Sequence, residues 1–355
     1  MEALHSLALV NRAICARLAR RGHRVTLVRP DSGETPSGAL GELPGLVRGA
    51  ADGAVDCFVA HQWPPDFRRP TSSPWVVMQP WEFGSIPTAW LGPLQHDVDE
   101  LWVNCGFVRD CYIAAGVPPS KVHVIPLGVD AQAFAANEGG AKERGQAPRV
   151  RGACPPSFGL RTSKRFRFLF VGGTLYRKGF DALLAAYGRA FSTWDDVCLV
   201  VKDMGVGTFY RGQTGQALIA EHQARAGAAE VEYLSAELTE AELRGLYAAC
   251  HCLAQPYRGE GFCLPLVEAM ASGLPVIVTG YGPALDFCSD ATAYLVPYQL
   301  VRFAQKRVGS WRRSIIRGWR SRTGMRWCSF FGGRMRSARR GRRRGGWGGS
   351  LCWGT

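Results

Sequence analysis

The sequence predicts an α/β protein made of two parallel-sheet domains. Three observations carry that expectation. Short apolar, β-branched runs alternate with helical stretches over most of the first 300 residues. A Gly-, Pro- and charge-rich segment at 137–164 interrupts the alternation once. The string G-E-G-F-C-L-P-L-V-E-A-M-A-S-G-L-P-V-I-V-T, from Gly259, sets a loop, a helix and an apolar strand in a row. Repeated βα units imply a parallel sheet covered on both faces, with ligands at the carboxyl ends of the strands.

Residues 4–21 have helical periodicity, with Leu7, Val10, Ala13, Ile14 and Leu18 assigned to the apolar side and Gly22 as the stop. Strands are expected at 24–28, 55–60, 75–78, 101–104 and 121–126, and a helix at 106–115 ending at Gly116. A helix before the first strand is unusual for a parallel unit, so the chain is expected to begin inside the first helix of its first domain, without the preceding strand and its glycine-rich loop. After the 137–164 linker, strands are expected at 166–171, 197–202, 231–234, 251–256 and 275–279. Helices fall at 180–187, near 214–226, from the capping box Thr239/Glu242, and at 264–272. The domains are thus 1–136, a linker at 137–164, 165–300, and a basic tail at 301–355 expected to lack regular structure.

A length of 355 residues suits about two domains. The net charge of +14 suggests a nucleic-acid partner until it is mapped. Sixteen of the 43 basic residues lie in 301–355, which has no acid; the rest of the chain carries 27 basic residues against 29 acids. The tail enriches Arg, Gly, Trp and Cys together, as a GC-rich gene does when read out of frame. A frameshifted or non-native tail is the expectation, and an RGG-like RNA-binding segment is the alternative. The twelve cysteines stand singly in apolar context with no metal-type spacing. They suit a reducing compartment. The N-terminus lacks the features of a signal peptide, and no apolar run of about 18 residues is present. The expected location is cytoplasmic.

Glu260 sits in the loop after the strand at 251–256, and Glu268 lies one turn into the following helix, whose stop is Gly273. The amides of Phe262, Cys263 and Leu264 crown that helix beside both acids. Amides at a helix start suit anionic or hydroxyl oxygens, and carboxylates suit hydroxyl groups. A single loop glutamate is ordinarily a solvated one, but the whole string fits a ligand with hydroxyls and a diphosphate, a nucleotide sugar.

The string E-G-F-C-L-P-L-V-E-A-M-A-S-G-L-P-V-I resembles the donor-site signature of the family-4 glycosyltransferases, retaining enzymes of the GT-B fold. The segment at 108–130, V-R-D-C-Y-I-A-A-G-V-P-P-S-K-V-H-V-I-P-L-G-V-D, is similar to the end of that family's first domain. F-L-F-V-G-G-T-L-Y-R-K-G at 168–179 is similar to its first strand and phosphate loop in the second. The resemblance implies two Rossmann-like domains facing a cleft. Lys178 would neutralise the donor diphosphate, a fixed cation opposite developing negative charge. Glu268 would hold the ribose, and Glu260 with the amides of Phe262, Cys263 and Leu264 the sugar, with Gly173 and Gly261 counted in the same donor site.

Relatives carry an Arg where Gly173 stands, which leaves a second phosphate cation unassigned. Lys202, at a strand end, is the candidate, and Arg177 is taken as a surface charge. Cys263 replaces the usual Gly. In the first domain, His61 and Glu82 follow strands and are candidates for the catalytic pocket.

The expected partners are a nucleotide sugar and a glycan, lipid or small-molecule acceptor, with peripheral membrane contact allowed and nucleic acid not expected. No cofactor and no metal is expected: D-V-D at 97–99 is a two-acid motif on a surface turn. The segment 205–212 fails G-x-G-x-x-G at Tyr210 and is assigned to a loop near the donor. The alternatives are a catalytically inactive fragment, discriminated by donor binding without turnover, and an RNA-binding tail.

Overall fold

A computed structural model describes residues 6–27, 46–48, 55–70, 72–135, 159–204, 214–300, 307–308, 311–312 and 335–339. The linker at 137–158, the 205–212 loop and most of the basic tail lie outside these residues. The chain divides into two compact units, 1–127 with 305–317, and 128–304 with 318–355.

In the first unit, helix α1 (Ser6–Arg20) leads into β1 (Val25–Leu27), which pairs in parallel with β2 (Leu46–Arg48). A second sheet runs β3 (Phe58–Ala60), β4 (Trp75–Met78), β5 (Glu100–Val103) and β6 (Val122–Val124), all parallel in that order. Helices α2 (Thr88–His96) and α3 (Gly106–Ala114) cover it. Trp75, Trp81, Trp90, Leu101 and Tyr112 form a core with almost no exposed surface. The expected apolar face of α1 is corrected: Ala8 is buried while Ala13 and Leu18 are exposed, so the helix is rotated from the predicted stripe.

Of the D-V-D acids, Asp99 has structural partners. Asp99 accepts from the Trp75 amide at 2.8 Å and from Arg69 at 2.8 Å, joining the starts of two strands. These bonds hold its carboxyl below the usual carboxylate range.

The second unit begins with α4 (Ala131–Ala135), ahead of the expected boundary at 136/165; its Phe134 meets the Tyr247 ring edge-on at 5.7 Å. The sheet follows: β7 (Phe166–Gly172), β8 (Val197–Asp203), β9 (Glu230–Leu234), β10 (Cys252–Gln255), β11 (Val276–Thr279) and β12 (Tyr294–Val296). Their spatial order is β12-β11-β10-β7-β8-β9, all parallel. The central strands are buried on both faces, as a near-continuous apolar sequence requires. Helices α5 (Phe180–Ala190), α6 (Gln216–Gln223), α7 (Glu240–Ala249) and α8 (Leu264–Ala271) complete the layers. The expected capping box is present, with Thr239 and Glu242 bonded reciprocally.

Two described parts of the basic tail are ordered, against expectation. β13 (Arg307–Val308) and β14 (Trp311–Arg312) pair antiparallel within the first unit. Residues 335–339 form a helical turn in the second, with Met335 and Ala338 buried in the core beside α5. Among the described residues no helix is long and apolar enough to cross a membrane.

Candidate functional site

The chain leaves β7 toward β8 and β9, then returns to β10 on the other side of β7. The carboxyl ends of β7 and β10 therefore flank a topological switch point, where open parallel sheets bind ligands. Two loops meet there. One runs from Gly172 through a 3₁₀ turn (Tyr176–Lys178) into α5, and the other from Pro256 to Cys263 into α8.

The loops are fastened by backbone. The Arg258 amide donates to the Arg177 carbonyl at 2.7 Å. Gly179 has φ +73°, and a Cβ there would lie 1.8 Å from the Pro256 carbonyl oxygen. Only glycine allows both that conformation and that approach. The Arg258 guanidinium pairs with both oxygens of Asp181, at 2.6 and 2.8 Å, and lies 3.8 Å over the Tyr176 ring.

Within this frame Glu260 is buried, 6% exposed. Oε1 takes the Lys178 ammonium and Oε2 the Arg177 guanidinium, the latter at 3.0 Å. Arg177 Nη1 also donates to the Gly259 carbonyl at 3.0 Å. Burial pushes the Glu260 carboxyl up, but Lys178 and Arg177 more than offset this and hold it below the usual carboxylate range. The Lys178 stem lies against Gly172, at the end of β7. Arg177 is thus a correction: it belongs to a buried three-charge cluster with Lys178 and Glu260, joined by a carboxylate 83 residues away.

Glu268, on α8, accepts from the Tyr247 hydroxyl at 2.7 Å. Burial raises its carboxyl, against the opposing hydrogen bond from Tyr247. Phe262 packs on Phe287, and Gly261 and Cys263 are buried beside it. Cys263 has φ +75°, the left-handed region, which accounts for glycine at this position in the resembling family. It precedes Leu264 without a side-chain cap. The expected site residues Gly173, Lys178, Glu260, Gly261, Phe262, Cys263, Leu264 and Glu268 all lie on these two loops and α8.

Lys202 is 2% exposed, and its ammonium donates to the Asp203 carbonyl at 2.8 Å. Burial lowers its pKa. On the other face of β8, the Asp203 carboxylate receives Thr174 at 2.7 Å and Tyr233 at 2.8 Å, a network of residues 29 and 30 positions apart in the chain.

In the first unit, His61 follows β3. Its Nδ1 lies 2.5 Å from Asn11 Oδ1, and Asn11 Nδ2 donates to the His61 carbonyl at 3.0 Å. With Nδ1 as donor, Nε2 keeps its lone pair. Burial lowers the His61 pKa from 6.5 to about 4. Glu82 is half-buried and its charge contributes, after burial, to raising the Tyr112 hydroxyl pKa.

The lowered His61 pKa makes a prediction. Between pH 6.5 and about 4 the unfolded chain takes up a proton that the folded chain refuses, so stability falls with falling pH. The loss is at most about 3 kcal/mol below that window. Urea unfolding at about pH 7 and pH 4.5 measures it, and His61→Gln is expected to flatten the difference. An unchanged difference in the variant assigns the loss to other groups.

Residues 157–305 match the family model described as Glycosyl transferases group 1, a range that contains all six strands of the second unit's sheet and both loops. A curated MMP α-(1→4)-mannosyltransferase of Mycolicibacterium hassiacum is 30% identical over 182 residues, 51% of this chain and 37% of that protein. A D-inositol 3-phosphate glycosyltransferase of Segniliparus rotundus is 29% identical over 180 residues, 51% and 36% respectively. The chain spans little more than a third of the length of these relatives. The solved structure of WaaG, a glycosyltransferase involved in lipopolysaccharide biosynthesis, superposes with a TM-score of 0.52 at 16% identity, covering 82% of each chain. With two parallel-sheet α/β units in one chain, the fold is GT-B.

Proposed function

We propose that the chain is a glycosyltransferase that takes a sugar from a nucleoside diphosphate and joins it to an acceptor hydroxyl. The observation that carries this reading is the buried Lys178–Glu260–Arg177 cluster at the switch point between β7 and β10. Lys178 neutralises the donor diphosphate as it leaves. Glu268 keeps one carboxylate oxygen beyond its Tyr247 bond for the ribose hydroxyls. Glu260 and the first-turn amides of α8 face the sugar. Gly173 belongs to the same donor subsite, and Lys202 supports it from β8 through its bond to the Asp203 carbonyl.

The reading extends to retention at the anomeric carbon, membership of family 4 and transfer without a metal ion, all supported by the signature at 260–277. His61 and Glu82 serve the acceptor in the first unit, His61 through the unprotonated Nε2 that its low pKa maintains. The acceptor is a glycan, a lipid taken at a membrane surface, or a small molecule. The reading puts the activity in the cytoplasm, which the singly spaced cysteines support.

Calorimetric titration with UDP, GDP and ADP tests the donor site. One nucleotide is expected to bind, and Lys178→Ala to weaken it by about 10- to 100-fold, the worth of a charge-assisted hydrogen bond. Glu268→Ala is expected to weaken it less. A folded chain that binds none of the three overturns the proposal.

A further inference from the structure

The donor subsite has an unequal charge count. A sugar nucleotide presents two negative charges on its diphosphate, and bond breaking adds a third. Lys178 supplies one positive charge, and Gly173 has no side chain to supply another. Among the described residues, three further cations lie near the strand ends. Arg258 is tied at both nitrogens to Asp181 and stacked on Tyr176. Lys202 is buried, directed onto the Asp203 carbonyl, and its charged form is disfavoured by burial. Arg177 is also held, by Glu260 and the Gly259 carbonyl, but its bond to Glu260 sets it beside Lys178 on the same carboxylate, with the two side chains 14% and 16% exposed.

We propose that Arg177 is the second cation of the diphosphate seat, and that Glu260 is the counter-ion that holds Arg177 and Lys178 together before the donor arrives. This rests on the donor-site reading above. One carboxylate bridging both cations brings their charged heads within reach of a single diphosphate. The seat then carries a net positive charge before the donor enters. The rigid fork of a guanidinium also suits two phosphate oxygens at once, which a lysine cannot match.

The test is nucleotide titration of Arg177→Met and Arg177→Lys, using the diphosphate that binds the unaltered chain and the corresponding monophosphate. Arg177→Met is expected to weaken the diphosphate by about 10- to 100-fold and the monophosphate by less. Arg177→Lys, which keeps the charge and the fold, is expected to lose a smaller part. Arg177→Met/Glu260→Gln removes the stranded half of the ion pair and guards against misfolding. Equal loss for both nucleotides, or none in a folded variant, overturns the assignment and leaves the donor site standing. Failure of the unaltered chain to bind any nucleoside diphosphate overturns the donor reading itself, and this inference with it.

Discussion

Glu260→Ala is expected to destabilise the second unit by about 3–5 kcal/mol, the usual consequence of removing one partner from a buried ion pair. Two cations would be left facing each other with side chains 14% and 16% exposed. Neither can retreat fully into water. Urea unfolding of the parent, of Glu260→Ala and of Glu260→Ala/Lys178→Met measures the effect. The double variant is expected to recover part of the loss, because the coupling between the two charges disappears with them. Equal midpoints for parent and Glu260→Ala would mean that the cluster is solvated and contributes nothing.

The pH dependence has a fixed sign. The folded-state carboxyl pKa is depressed, so the contribution is fully present above the ordinary carboxylate range and is lost as pH falls through the folded value.

Gly179→Ala is expected to be nearly as damaging, for a reason in the backbone. The left-handed conformation costs a Cβ-bearing residue about 1–2 kcal/mol. The new methyl would also meet the Pro256 carbonyl carbon and oxygen at 2.8 and 1.8 Å, and neither is a side chain that can turn away. Overpacking of this kind adds about 1–3 kcal/mol. Gly227 supplies the control: its φ is +72°, and a Cβ there meets nothing within 4 Å. Gly227→Ala should show the conformational part alone. If the two substitutions cost the same, the close approach between the loops is not real. Nucleotide affinity should also fall in Gly179→Ala, since a displaced loop takes Lys178 from its place beside Gly172.

Local patterns made most strands and helices legible to within a residue or two. α2 was not, because Pro93 sits inside it and no side chain caps its start. The strands β2 and β12 were not assigned from the sequence either. In the site, Lys178, Glu260 and Glu268 were picked out because each belongs to a contiguous string that resembles a family signature. Arg177, Tyr247 and Asn11 were not, since their partners lie 83, 21 and 50 residues away. Which distant side chains meet is decided by sheet order. The placement of β7 between β8 and β10 joins Arg177 to Glu260, and nothing in either local segment announces it. The rotation of α1 was misread for a related cause: the helix turns a polar Asn11 toward β3, which a search for apolar stripes ignores.

The helical turn at 335–339 bears on the order in which the chain can assemble. Met335 and Ala338 are 0% and 2% exposed, against the layer that holds Ala190 and Phe191. Arg336 reaches the Ala190 carbonyl and Arg339 reaches Asp195, across 146 and 144 residues. On the ribosome, α5 and α6 can therefore cover that side of the six-stranded sheet before residues 335–339 exist, leaving open only the patch that Met335 and Ala338 fill. Closure of so long a loop is slow relative to pairing of neighbouring strands. The last step in maturation of the second unit is then the docking of a short basic turn rather than the formation of any strand.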